Sequence, residues 1–233
     1  MLFLKTNLRV STIKTIVLCF VLILFTYCIS KNNNNFNIVL RNYKDYKENL
    51  FEYNHSFQNP YKHIILHHSS FKTQPGFETI EYFHTQKFGY DDIGYHYIIE
   101  KSGDIYEGRS IKYMGAHAGQ TKEANDLADS IRTGKSKLLI EEALKLDPDY
   151  GAIGICLDGN FNLYEPNTEQ LKSLKLLLVQ LEKEYSIENK NILMHSEVKS
   201  KIIEKRGLTF IGKETVCPGK FAIKAIREII HSL

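Results

Sequence analysis

The chain has 233 residues, 43% apolar and 24% charged, and a formal net charge of +3. That is ordinary globular usage, so a packed core is expected and pervasive disorder is excluded. The charge is too small, with no long basic run beside it, to argue for a nucleic-acid partner.

The N-terminus reads as a leader over residues 1–30. Lys5, Arg9 and Lys14 precede an uncharged apolar run at 16–29. That run is short of the roughly 20 residues a bilayer span needs and suits the apolar core of a secretion signal. Small residues at Cys28 and Ser30 offer a cleavage pattern; a lipid on Cys28 and an uncleaved anchor are the other fates. All three place the body beyond the cytoplasmic membrane, with membrane contact confined to this segment. Lys31 and Asn32, Asn33, Asn34 and Asn35 then read as a solvated tether, and 31–60 as tether and lead-in. The remaining stretch, 61–233, is expected to be one domain and a monomer.

Within it, the isoleucine-rich run KHIILHH at 62–68 reads as a buried strand. A helix is expected over 77–88, after the turn signal Pro75-Gly76. The aromatic and β-branched run IGYHYIIE at 93–100 reads as a strand, and 105–107 as its return partner across the turn Ser102-Gly103-Asp104. A charged stretch at 121–150, with Leu138, Leu139, Ile140 and Leu144 and the ending Asp147-Pro148-Asp149, reads as a helical insertion. Residues 152–157 form another buried strand. Asn167 and Gln170 make a capping box ahead of Leu171, Leu174, Leu177, Leu178 and Leu181 at helical spacing. A short strand at 192–195 follows. Phe221, Ala222, Ala225, Ile226, Ile229 and Ile230 give one stripe of a closing helix. Strands and helices alternate irregularly, which predicts a mixed α/β domain: a central mixed sheet flanked by helices.

Of four cysteines, Cys19 and Cys28 lie in the leader, so Cys156 and Cys217 alone make no disulfide framework. Cys156 sits in an apolar run and reads as a small buried hydrophobe. Cys217 precedes Pro218 and Gly219 in a polar loop. His67 and His195 each fall at the end of a predicted strand. Two imidazoles and a thiolate are donors that zinc prefers, and three protein ligands would leave a fourth position open, as in catalytic sites. His67 and His68 point to opposite faces of their strand, and spacing alone does not say which of them faces a site.

Seven blocks carry a resemblance. They are ILHHSS ending at Ser70, IGYHYII at 93–99, GDIYEGR at 103–109, GAHAG at 115–119, IGICLDGNF at 153–161, MHSEV at 194–198 and TVCPGK at 215–220. In this order the chain resembles the N-acetylmuramoyl-L-alanine amidases shared by phage amidase lysozymes and peptidoglycan recognition proteins, over about 61–233. The resemblance implies Zn2+ held by His67, His195 and Cys217. It implies a catalytic Tyr95, a second catalytic position at Thr215 (lysine in the phage enzymes), and a substrate-groove contact at His117. The activity implied is hydrolysis of the amide joining N-acetylmuramic acid to L-alanine in peptidoglycan or muropeptides. A non-catalytic peptidoglycan-binding module is one rival, though its members lack the cysteine ligand. A secreted effector with the same chemistry is another. A cytoplasmic recycling enzyme is a third, which the leader opposes. The insertion at 121–150 and the long interval from His195 to Cys217 depart from the family pattern.

Overall fold

Residues 63–68 are buried between two apolar strands, 152–157 on one side and 192–194 on the other. The computed structural model describes residues 38–40, 50–53, 59–137 and 139–233; the leader, the tether at 31–35 and Leu138 lie outside them. Eight strands are present among the described residues: β1 (Ile38–Val39), β2 (His63–His68), β3 (Tyr97–Ile99), β4 (Ile105–Glu107), β5 (Gln120–Thr121), β6 (Ala152–Leu157), β7 (Ile192–Met194) and β8 (Phe210–Ile211). Six form one sheet in the order β1-β4-β3-β6-β2-β7, and β5 pairs with β8 in a separate ribbon. β3 and β4 are antiparallel across the Gly103 turn, and every other pairing in the large sheet is parallel. The sheet is mixed, as expected. β2 and β6 are buried at nearly every position, as parallel strands covered on both faces must be.

Five α-helices accompany the strands among the described residues: α1 (Phe77–Tyr82), α2 (Lys122–Arg132), α3 (Ile140–Leu144), α4 (Thr168–Tyr185) and α5 (Ile223–His231). α4 opens on the expected capping box, Asn167 accepting from Gln170 N–H while the Gln170 side chain reaches back. Its Leu174, Leu177, Leu178 and Leu181 are fully buried, each contributing on the order of 1.5–3 kcal/mol. α4 lies against β3 and α5. On the other face of the sheet, Ile65 and Ala152 join Ala118, Leu193, Val198, Ile202 and Ile203 in one cluster. Ile98 and Cys156 join Ile80 and Ile93 in a second. Among the described residues no helix is long and apolar enough to cross a membrane.

Several expectations change in detail. The helix expected over 77–88 is α-helical only to Tyr82 and continues as a π-helical turn, Phe83–Lys87. The strand expected at 93–100 pairs only from Tyr97. Ahead of it, Ala116 N–H donates to Gly94 carbonyl, while His96 N–H still donates to Gly154 carbonyl on β6 and the Tyr95 and His96 carbonyls accept from Arg109 and Gly108 N–H. The Tyr95 and His96 rings lie 6.3 and 5.7 Å from the His117 ring. Phe221 precedes α5 and is exposed, its ring under Lys220 Nζ. The lead-in is not uniformly a tether: Ile38 and Val39 pair with β4, and Tyr53 is buried against Tyr61 and Tyr150.

The stretch at 121–150 carries α2 and α3, and it meets the segment between His195 and Cys217. β5 pairs with β8, Glu123 accepts from the Thr209 amide and hydroxyl, and Lys122 N–H donates to Thr209 carbonyl. The two segments are thus one substructure.

Candidate functional site

β2 and β7 are adjacent and parallel, so their carboxyl ends stand side by side. His67 lies at that end of β2, and His195 follows the last residue of β7. The carboxyl edge of a parallel sheet is where open α/β folds form their crevices. His195 sits in a 3₁₀ turn held by Glu197, whose carboxylate accepts from Met194 N–H and pairs with Arg227. The loop carrying Cys217 is tied to both strands: Ser196 N–H donates to Cys217 carbonyl at 2.9 Å, and His68 N–H donates to Cys217 Sγ at 3.4 Å. Gly219, at φ 104°, lies so close to Phe161 that a Cβ there would stand 2.5 Å from the Phe161 carbonyl carbon. That contact presses the cysteine loop onto the loop that follows β6.

One ligand atom from each of His67, His195 and Cys217 lies within 4.8 Å of the others. His67 Nδ1 is 3.8 Å from Cys217 Sγ, and the His67 and His195 rings are 4.5 Å apart. Cys217 is buried, not set in an open polar loop. Burial holds the His67 imidazole well below its usual range and His195 at about 4, so both keep a neutral lone pair near neutral pH. Burial also pushes the Cys217 thiol up to about 12. A thiolate in this setting needs a cation beside it, and a nitrogen, nitrogen and sulfur donor set is one that fits zinc.

His68 faces away, as one of two neighbours on a strand must, and its Nδ1 accepts from Phe161 N–H. The Tyr95 ring lies 5.1 Å from His67 and 5.2 Å from His84. Burial, then the nearby sulfurs of Cys156 and Cys217, hold its phenol proton well above the usual range. Thr215 accepts from Cys217 N–H at 3.0 Å. With His195, Ser196, Lys199, Phe210 and Lys213 it lines a cavity of about 310 Å³ beside the three ligand candidates. β8 of the added ribbon supplies part of this wall. His117, expected at a substrate groove, has no exposed side-chain surface, and its Nδ1 stands 3.1 Å from His67 Nε2.

Two residues near the site carried no assignment in the sequence. Asp149 ends the insertion, is buried, and accepts from the backbone N–H groups of His117 and Ala118 at 2.8 and 2.9 Å. Only its DPD turn context was visible, and that reads as surface. Arg109 is buried and donates to the carbonyls of Ile93, Asp92 and Met114, fixing the loops on either side of Tyr95 and His117.

A family model described as N-acetylmuramoyl-L-alanine amidase matches residues 57–220. Peptidoglycan-recognition protein SD of Drosophila simulans is 32% identical over 120 residues, covering 51% of this chain and 50% of that protein. The chain thus spans about half the length of this relative and of its Drosophila melanogaster counterpart. Among solved structures, N-acetylmuramoyl-L-alanine amidase LysC from Clostridium intestinale URNW is similar at a TM-score of 0.55 and 25% identity, over 84% of this chain and 96% of that one. The crystal structure of Drosophila peptidoglycan recognition protein SD gives 0.56 at 24% identity, over 83% and 95%. The last likeness is one of fold.

Proposed function

The chain belongs to the N-acetylmuramoyl-L-alanine amidase family, and on that premise we propose that it is a zinc-dependent hydrolase of peptidoglycan. The bond cut is the amide between N-acetylmuramic acid and L-alanine. The observation that carries this reading is the convergence of His67, His195 and Cys217 at the carboxyl ends of two adjacent strands. A zinc ion held by these three would polarise the scissile carbonyl and make water nucleophilic near neutral pH.

The protein's own groups do the rest. His67 and His195, kept neutral by burial, present lone pairs without first losing a proton. Tyr95, held protonated, donates a hydrogen bond to the oxygen that becomes negative as the carbonyl turns tetrahedral, or passes its proton to the leaving amine. Thr215 already accepts from Cys217 N–H, which leaves its hydroxyl proton to donate toward the same oxygen. Threonine brings no positive charge, so charge stabilisation falls more heavily on the metal and on Tyr95. The cavity of about 310 Å³ beside His195 and Thr215 is of a size to hold part of a muropeptide.

The catalytic domain spans 61–233, with the insertion at 121–150, and works outside the cytoplasm after export by the segment at 1–30. Mass analysis of sacculi digested with and without chelator tests the proposal. Free stem peptides beginning with L-alanine, and their loss on chelation, are the expected result. Tight binding to sacculi with no new amino termini would replace the hydrolase by a recognition module.

A further inference from the structure

The ring nitrogens of His67 divide their work. Nδ1 faces Cys217 Sγ at 3.8 Å, and Nε2 faces His117 Nδ1 at 3.1 Å. If Nδ1 is to offer a lone pair, the single ring proton must sit on Nε2, where it donates to His117 Nδ1. That in turn requires the His117 proton on its own Nε2. There it stands 3.3 Å from Asp149 Oδ1, off the hydrogen-bond axis but near enough for the carboxylate to favour a proton on that nitrogen of the neutral ring. The same Asp149 oxygen accepts from His117 and Ala118 N–H, so the carboxylate holds both the ring and the loop that carries it.

The slot for the His117 ring is cut by two glycines. A Cβ on Gly154 would stand 2.4 Å from its Cδ2, and one on Gly115 would stand 2.5 Å from the same atom. Neither position leaves room for any side chain while the imidazole is there. Gly154 lies on β6 next to the strand that carries His67, so the sheet itself supplies one wall. With its side chain enclosed, His117 has no route to act by touching solvent or ligand from a groove wall.

We propose that Asp149 and His117 form a positioning relay that fixes His67 in the tautomer whose Nδ1 lone pair points at Cys217 and His195. This inference rests on the zinc reading above and assigns that centre its outer support. Outer partners of a metal-binding imidazole set its orientation and basicity, and their loss typically costs 10–100-fold in metal affinity.

The test is zinc affinity of the purified zinc-free protein, read by competition with a chromophoric chelator, for the wild type, Asp149→Asn and His117→Gln. Asp149→Asn keeps an oxygen for the two loop N–H groups and removes the charge. Both variants should bind zinc about 10–100-fold more weakly while circular dichroism stays unchanged. Imidazole nitrogen NMR of the zinc-free wild type should show His67 as the single Nε2–H tautomer, and His117→Gln should show a mixture. Variants that bind zinc as tightly as wild type, or a wild-type His67 protonated at Nδ1, would overturn the relay and leave the hydrolase reading standing. A wild type that takes up no zinc would remove the hydrolase reading itself.

Discussion

His67 Nδ1 lies 3.8 Å from Cys217 Sγ, close to the separation two ligands of one tetrahedral ion adopt. Zinc–nitrogen and zinc–sulfur bonds of about 2.05 and 2.3 Å at a tetrahedral angle place the two atoms about 3.6 Å apart. A thiol that burial holds at about 12 would not ionise there unaided. Cys217→Ser therefore tests the centre at its most dependent member. Serine does not ionise near neutral pH, so metal analysis after dialysis should fall from about one zinc per chain to near none. Turnover on sacculi should go with it. The zinc-free forms of both proteins should unfold within about 1 kcal/mol of each other, because the change removes little packing. Full zinc retention by the serine variant would remove Cys217 from the ligand set.

Tyr95→Phe separates chemistry from metal binding. The ring stays in place against His67 and His84, and only the hydroxyl is lost. Zinc content should be unchanged and kcat should drop about 10²–10³-fold, the range for a lost proton donor or oxyanion partner. A normal kcat would confine Tyr95 to packing.

The elements legible in the sequence were those whose pattern is local. The isoleucine run at β2, the capping box and leucine stripe of α4, and the Gly103 turn each follow from periodicity or from one residue's conformational preference. Length was less legible at 93–100, because the Gly94 backbone pairs with Ala116, which no local pattern reveals. The burial of Cys217 was hidden for a similar reason. It sits in a short loop with no periodic apolar pattern, but its sulfur meets His67 and His68 in space. Asp149 was the least legible residue, since its partners His117 and Ala118 lie 32 and 31 positions away. The stretch at 121–150 and the interval from His195 to Cys217 look independent along the chain; the β5–β8 pairing and the bonds of Lys122 and Glu123 to Thr209 join them.

Gly154→Ala should be strongly destabilising despite its small size. Replacing glycine stiffens the unfolded chain and on that ground alone stabilises by about 0.4–1 kcal/mol. Here the new methyl would meet the His117 ring at 2.4 Å in the interior of β6, and overpacking of this kind costs about 1–3 kcal/mol or more. The clash wins, so the thermal midpoint should fall by several degrees. A rise in the midpoint would mean that the His117 ring does not occupy this slot.

Acid should weaken the zinc-free protein well above the carboxylate range. Burial lowers His68, His84 and His195 to about 4 and His96 and His117 to about 3, so all five are neutral in the fold. In the unfolded chain each takes a proton near pH 6.5. Stability from these groups is complete above that pH and is lost as pH falls toward 4, because the unfolded state binds the extra protons. Asp147 and Asp149 oppose this. Burial, and for Asp147 also the neighbouring Asp149, raises both well above the usual carboxylate range, so the folded state holds their protons in the same window. Two carboxyls against five imidazoles still leave the unfolded chain ahead by at least one proton, or about 1.4 kcal/mol per pH unit. Urea midpoints of the zinc-free protein should therefore drop steadily from pH 6.5 to 4.5. His84→Gln, which keeps an acceptor for Gly94 N–H while removing one titrating ring, should flatten the slope. A midpoint constant across that range would contradict the burial of these imidazoles as neutral groups.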